Sequence, residues 1–140
     1  MAEFKVIEEG AFGDYDFQAS AGTLEELFAI CAAATFDAMT DVRKIQLIDE
    51  VEFEENADNL EDLLYAFLAE LIYIKDAEKL FFGKFDIEIN EGFNLKCKAY
   101  GEHINNDKHE LKTDVKAVTY HHLKVEKMGS GYSAHVILDL

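Results

Sequence analysis

The most deeply buried helix of the chain is predicted over the stretch Asp58-Asn-Leu-Glu-Asp-Leu-Leu-Tyr-Ala-Phe-Leu-Ala-Glu-Leu-Ile72. Its apolar residues recur at three- and four-residue steps, which gathers them on one wide helical face. A face of this width must be covered by other elements, so we expect this helix to lie in the core. The apolar positions are Leu60, Leu63, Leu64, Phe67, Leu68, Leu71 and Ile72.

A second helix is predicted earlier in the chain, from Thr23 to about Met39. Thr23-Leu-Glu-Glu26 is a capping box, in which the threonine hydroxyl and the Glu26 side chain can each satisfy a free backbone N–H. The apolar residues that follow form one stripe, which predicts one buried side. They are Leu24, Leu27, Phe28, Cys31 and Ala34.

Segments of alternating polarity before, between and after the helices predict strands, with turns at Glu91-Gly92 and Gly129–Gly131. We therefore expect an α+β fold, a single domain with two main helices packed on a largely antiparallel β-sheet. The predicted strands are Phe4–Ile7, Tyr15–Ala19, Ile45–Glu54, Lys84–Asn90, Phe93–Tyr100, Val115–Val125 and Tyr132–Leu138.

The charge balance argues against a nucleic-acid-binding protein. The chain has 140 residues, which fits one domain over residues 1–140, and its net charge is −16. Such a surface repels phosphates, so we expect no direct binding to RNA or DNA. Residues 107–127 differ, with five lysines against four acids. The acidic stretch Asp49–Asp62 is interpreted as a solvated surface, although it is also able to steer a basic protein partner.

Several features predict a cytoplasmic protein. Cys31 and Cys97 lack CxxC spacing, which favours reduced, buried thiols. The N-terminus carries acids where a signal peptide has basic residues and then an apolar run. The most apolar stretch, Leu63–Ile74, contains Glu70 and is shorter than the roughly twenty residues of a membrane span. We expect no membrane segment.

The histidines give little support for a catalytic or zinc site. No two of the five have the spacing of a zinc pair, and no nucleophile elbow or phosphate-binding loop occurs. His121 and His122 are adjacent on a predicted strand, so we expect their side chains on opposite faces. Isolated strand histidines are more often surface or satisfied core residues than ligands.

The carboxylates are the better candidates for binding a cation. Asp14 and Asp16 lie in a glycine-punctuated loop at the entry to a strand, two residues apart and so on the same side. Calcium and magnesium prefer several such oxygens. Asp139 and the terminal carboxylate of Leu140 offer more, but periodicity does not say whether they approach Asp14. The loop lacks EF-hand spacing, so these residues alone leave metal binding open.

Nearly the whole chain resembles the archease family. The most specific segment is His109-Glu-Leu-Lys-Thr-Asp-Val-Lys-Ala-Val-Thr-Tyr-His121, here called the signature block. The other segments are weaker alone, and their order and spacing carry the resemblance. They are the Asp14 loop, Thr23–Phe28, Phe36–Asp41, Glu61–Tyr65 and Val136–Leu140.

The resemblance implies an accessory function. Archeases are small companions of the GTP-dependent RNA ligase that joins tRNA exon halves, and they promote the histidine–GMP intermediate of that ligase without being ligases themselves. It also implies a divalent cation, often calcium, held by an early aspartate, the C-terminal aspartate and its neighbour. Here these positions are Asp14, Asp139 and Leu140. His109, Lys112 and Lys116, in the signature block, are candidates for partner contact or activation.

Two departures and two alternatives stay open. The family commonly has His-Thr-Ala-Asp where this chain reads Ala11-Phe12-Gly13-Asp14, so that histidine is missing. Asp16 replaces a small or apolar residue, and is either an extra ligand or a solvated acid. Lys112 and Lys116 are equally consistent with ordinary surface charges that keep the protein soluble and protect a strand edge. The alternative functions are a metal-dependent phosphoesterase and a chaperone-like adaptor for RNA-modifying enzymes.

Overall fold

The computed structural model describes residues 2–9 and 13–140, which form two helices, eight strands and one short 3-10 turn at Val42–Lys44. Residues 10–12, which are the first part of the predicted glycine loop and include the position of the missing histidine, lie outside this part. The helices are α1 (Leu24–Asp37) and α2 (Leu60–Glu78). The strands are β1 (Glu3–Glu9), β2 (Asp14–Ala21), β3 (Asp49–Asn56), β4 (Leu80–Asn90), β5 (Asn94–His103), β6 (Ala117–Val118), β7 (Lys124–Met128) and β8 (Gly131–Asp139).

The strands divide between two sheets, and every pairing is antiparallel. The larger sheet has the order β1-β2-β8-β6, with β7 also paired to β8, and the smaller sheet has the order β3-β5-β4. The predicted α+β class is therefore confirmed, as two helices on antiparallel sheets. The predicted single sheet is two sheets.

Helix α1 lies between the two sheets, because it contacts β4 of the smaller sheet and both β2 and β8 of the larger one. Half of its predicted capping box is formed: the Glu26 N–H donates to the Thr23 hydroxyl oxygen at 3.1 Å, whereas the Glu26 carboxylate accepts from the Thr23 hydroxyl at 3.2 Å. Contact on two sides explains why Leu27, Phe28 and Phe36 are all fully buried.

Helix α2 buries the wide apolar face that its sequence predicts. Asn59 caps its first turn through the Asp62 N–H at 2.8 Å. The Phe67 ring packs against Phe28 of α1 and Phe53 of β3, with centroids 5.7 and 6.0 Å apart. The residues with no exposed surface are Leu63, Leu64, Phe67, Leu68 and Leu71. The two helices and both sheets therefore share one core.

The strand predicted over Ile45–Glu54 begins later, at Asp49. The Gln46 N–H donates to the carboxylate of Glu102 at 2.7 Å, so this amide is taken by a side chain and not by a neighbouring strand. Ile45 is buried, and the backbone joins the sheet only at Ile48, whose N–H donates to the Gly101 carbonyl at 2.9 Å.

The strand predicted over Val115–Val125 is interrupted. Both parts pair with β8, but Ala117 lies opposite Asp139 and Lys124 lies opposite His135. Five residues, Thr119–Leu123, therefore lie opposite only two residues of β8, and the chain makes a turn around Tyr120–His122. His122 adopts a left-handed backbone with φ of 55°. The alternation of polar and apolar residues along a strand does not show where the chain leaves its partner strand.

Neither helix of the described residues combines the length and the apolarity that crossing a lipid bilayer requires.

Candidate metal centre

The pairing of β2 with β8 brings Asp14 and Asp139 together. They are direct partners across the ladder, at the first residue of β2 and the last of β8. The next pair, Tyr15 and Leu138, points into the core, so the two carboxylates share the outer face of the sheet. Residues 125 positions apart in sequence thus form one pair of acids, which periodicity alone did not reveal.

Leu140 continues this ladder by one residue. Its N–H donates to the Gly13 carbonyl at 2.8 Å, so the backbone oxygens of Leu140 lie at the same end of the sheet as the two aspartates. All three predicted metal-site residues therefore meet at one corner of the protein. Hydrogen bonds within the sheet keep the backbone of this corner in place.

The chemistry of this corner suits a hard divalent cation. Two carboxylates directly opposite each other repel, and a cation between them relieves that repulsion. Calcium is bound by six to eight oxygens, from carboxylates, carbonyls and water. Within residues 2–9 and 13–140, no group of three or more His, Cys, Asp and Glu side chains is placed to hold a metal. The side chains that would hold such a cation are thus the two aspartates, with backbone oxygens of Leu140 and water available to complete the set.

Asp16 is engaged by a histidine. Its carboxylate accepts from Nε2 of His135 at 2.6 Å, and its ladder partner is Ile137, two pairs further along than the Asp14–Asp139 pair. Asp16 is therefore neither a solvated acid nor part of the directly opposed pair. Sequence reasoning did not connect it with His135.

The prediction that His121 and His122 point to opposite faces is wrong. They lie in the turn between β6 and β7, where the strand rule does not hold, and their ring centroids are 4.1 Å apart. His122 also stacks on His135, with centroids 6.1 Å apart and ring planes at 12°. In the same turn, Tyr120 stacks on Tyr65 of α2 at 3.9 Å. The His122 ring is thus next to both His121 and His135.

The first part of the signature block, His109–Lys116, belongs to a loop over residues 104–116. This loop contains no helix or strand, but hydrogen bonds attach it to the rest of the protein. The Lys112 N–H donates to the Met39 carbonyl at 2.8 Å, and the Thr113 N–H donates to that of Ala38 at 3.3 Å. The Lys112 ammonium donates to the carbonyl of Asp37, the last residue of α1, at 3.1 Å. Lys112 therefore stabilises the C-terminal end of α1, whose last turn has no basic residue of its own.

Lys116 joins the loop to the aspartate pair. Its N–H donates to the carbonyl of Asp139 at 2.8 Å, immediately before β6 pairs with β8. The Lys116 side chain is exposed. The backbone of Lys116 thus helps to hold the candidate metal centre, while its exposed side chain lines the same surface pocket as Tyr73 and Asp76 of α2.

His109 is buried, and both ring nitrogens are used inside the protein. Nδ1 accepts from the Asn105 N–H at 2.9 Å, so Nε2 carries the proton and donates to the Glu102 carboxylate at 3.0 Å. Lys108 also pairs with Glu102. Burial by itself raises the pKa of Glu102, but the bonds from Lys108, the Gln46 N–H and His109 outweigh it and hold the pKa at about 2. These contacts give His109 a structural role.

Sequence reasoning also missed Lys75, which is only 3% exposed. Its ammonium contacts the carboxylates of Asp114 and Asp76 at 2.7 and 2.6 Å and donates to the Val115 carbonyl at 3.1 Å. One signal was available, because Lys75 falls four residues after Leu71 on the apolar face of α2. A lysine on such a face needs partners within the protein.

The two cysteines are free and buried, as predicted. Burial, reinforced by the charge of Asp86, raises the pKa of the Cys97 thiol to about 12. Burial also raises the pKa of the Cys31 thiol far above its ordinary value. Since the thiolate is the reactive form, both side chains are inert packing groups.

The sequence matches the model of one protein family, the Archease protein family (MTH1598/TM1083), over residues 4–140. Protein archease of Pyrococcus furiosus is 43% identical over 122 residues, which cover 84% of this chain and 86% of that protein. Protein archease of Sulfolobus acidocaldarius is 39% identical over the full length of both chains.

Two solved structures share the fold. The solution structure of Methanobacterium thermoautotrophicum protein 1598 superposes with a TM-score of 0.81 at 35% identity, covering 99% of this chain and 98% of that one. The crystal structure of TM1083 from Thermotoga maritima, described as an archease and possible chaperone, gives a TM-score of 0.63 at 22% identity, with 93% of each chain covered. From the family match and the identity to the curated relatives, we conclude that the chain belongs to the archease family.

Proposed function

We propose that this protein is a cation-binding accessory protein that promotes guanylylation and multiple turnover of the GTP-dependent RNA ligase in tRNA splicing, and that it is not itself the ligase. Membership of the archease family supports the choice of partner. The observation that carries the proposal is the direct pairing of Asp14 with Asp139, beside Lys116.

The chemistry of the partner's reaction explains what this corner contributes. A histidine that attacks the α-phosphate of GTP needs in-line positioning and compensation of negative charge. A bound divalent cation, calcium in this proposal, supplies such compensation. Asp14, Asp139 and the backbone oxygens of Leu140 hold that cation at the edge of the protein. The exposed ammonium group of Lys112 or Lys116 meets the ligase or its nucleotide from the adjoining loop.

The rest of the surface fits a protein partner better than RNA. The net charge of −16 repels a nucleic-acid backbone. The same charge speeds association with a basic surface on a protein. In this proposal the protein works in the cytoplasm and meets RNA only through the ligase.

The test is a ligase assay with matched variants. Purified cognate ligase, GTP and metal are mixed with a sub-stoichiometric amount of this protein, and GMP-linked ligase is followed over many turnovers. We expect stimulation by the wild type and by Asp58→Asn, an exposed acid two residues before α2. We expect Asp14→Asn and Asp139→Asn to lose both stimulation and cation binding measured by calorimetry.

Other outcomes would favour other functions. The Thermotoga protein is described as a possible chaperone, and an adaptor that works by contact alone would keep full stimulation in both aspartate variants. A phosphoesterase would hydrolyse RNA or nucleotide phosphates without any ligase and lose that activity in Asp14→Asn. Full stimulation by Asp139→Asn together with unchanged cation binding would overturn the proposal.

A further inference from the structure

The Lys75 ammonium is the most buried charge that the proposed function leaves unexplained. An ammonium has three N–H donors, and here three oxygens surround it, from Asp76, Asp114 and Val115. Asp76 and Asp114 are more than half exposed. The lysine therefore spans from the core to two surface carboxylates, and one of these belongs to the signature block.

A short chain of contacts leads from Lys75 to the metal centre. The ammonium holds the side chain of Asp114 and the carbonyl of Val115. The next residue, Lys116, donates its N–H to the carbonyl of Asp139. Asp139 lies opposite Asp14. The buried Lys75 ammonium on α2 thus holds two consecutive loop residues, Asp114 and Val115. The next residue of the loop makes the hydrogen bond to Asp139, a predicted metal ligand.

We infer that Lys75 is a positioning residue of the cation site, holding the loop at Asp114 and Val115 so that Lys116 orients Asp139 toward Asp14. This inference rests on the proposed function for the identity of the ligand, a divalent cation. Groups that orient metal ligands without touching the metal typically change its affinity by about 10- to 100-fold.

Lys98 provides a matched comparison within the same chain. It also has two carboxylate partners, Glu50 at 3.6 Å and Glu52 at 3.1 Å. It differs in being 40% exposed and in lying on the smaller sheet, which does not contain the metal centre. A lysine with two acidic neighbours is therefore present both with and without a connection to Asp139.

The experiment compares Lys75→Met, Lys75→Arg, Asp114→Asn and Lys98→Met in the full chain. Hydrogen exchange of the Lys116 amide, measured by NMR without metal, reports whether its bond to Asp139 is held. Terbium luminescence reports affinity for a calcium-like cation and, from lifetimes in H2O and D2O, the number of waters left on the ion. Thermal melting identifies folded variants.

In Lys75→Met we expect the Lys116 amide to exchange at least about tenfold faster, terbium to bind about tenfold more weakly, and more water to remain on the ion. Asp114→Asn should show smaller changes of the same kind, Lys75→Arg a partial recovery, and Lys98→Met none. Wild-type values in folded Lys75→Met, or equal changes in Lys75→Met and Lys98→Met, would overturn the inference.

If Lys75→Met does not fold, Asp114→Asn decides the question. The Asp114 side chain is exposed, so replacing it leaves no cavity. Unchanged exchange at Lys116 in that variant would overturn the inference. Failure of the proposed function would look different, because the wild type itself would then bind no terbium or fail to stimulate the ligase. The hydrogen-exchange measurement at Lys116 requires neither terbium nor the ligase.

Discussion

The backbone N–H of Lys116 donates to the carbonyl of Asp139 at 2.8 Å. This bond joins the signature block to the last strand at a predicted metal ligand. It also separates two roles of Lys116, since the backbone holds Asp139 while the side chain remains exposed.

Lys116→Met tests that separation. The substitution removes the ammonium but retains the N–H, so cation affinity measured by calorimetry should stay close to that of wild type. Under the proposed function, ligase guanylylation should fall by at least about tenfold, because a positive charge that meets the ligase or its nucleotide is lost. A parallel loss of cation affinity would contradict this division of roles.

Lys112→Met should act mainly on stability. Its ammonium donates to the Asp37 carbonyl at the end of α1, so the substitution should lower the free energy of unfolding by about 0.5–1 kcal/mol, measured by urea denaturation. Lys127→Met, on exposed β7, serves as the control and should change stability little. Equal effects of the two substitutions would argue against a specific role at the helix end.

Asp16→Asn addresses whether Asp16 is an extra ligand. Because its carboxylate accepts from His135 and lies opposite Ile137, we expect the cation dissociation constant to change by less than about threefold. Asp14→Asn in the same calorimetric titration should weaken binding by at least about tenfold. Comparable losses in both variants would make Asp16 a ligand.

Glu102→Gln should remove an acid-sensitive part of the stability. In the folded protein the pKa of Glu102 is held at about 2, whereas its usual value is 4.5, so the folded state resists protonation. The carboxylate therefore contributes stability above about pH 4.5, and this contribution is lost as the pH falls toward about 2. We expect Glu102→Gln to be less stable by roughly 1–3 kcal/mol at pH 7.

Urea denaturation between pH 7 and pH 2 measures this difference. The curves of wild type and Glu102→Gln should converge as the pH falls, while Glu110→Gln, an exposed neighbour in the loop, should follow the wild type throughout. A constant gap between wild type and Glu102→Gln would mean that the charge of Glu102 is not the cause.

Gly101→Ala should be among the most damaging single substitutions. A Cβ atom on Gly101 would lie 1.8 Å from the Phe81 carbonyl oxygen, at the irregular pairing of β4 with β5. Relief requires backbone movement, so we expect a loss of about 3 kcal/mol or more in urea denaturation. Gly22→Ala, whose Cβ would have its nearest neighbour at 3.4 Å, should be tolerated.

The spacing of apolar residues was enough to predict both helices, because a buried helical face repeats every three to four residues whatever lies against it. The strands of the hairpin β4–β5 were predicted for a related reason, since alternation records one buried and one exposed face. Alternation does not record pairing partners. It therefore missed the division into two sheets and the excursion at Tyr120–His122, which changes the register against β8.

The sequence by itself determined the family, the helices and the acids worth considering, because these depend on residue types and on local spacing. Only the tertiary structure decided that Asp14 lies opposite Asp139, that Asp16 is bound by His135, and that Lys75 and Glu102 are the buried charges on which the loop depends. Each of these contacts joins residues from separate elements. Their distances follow from how the sheets and helices pack, which no local pattern in the chain contains.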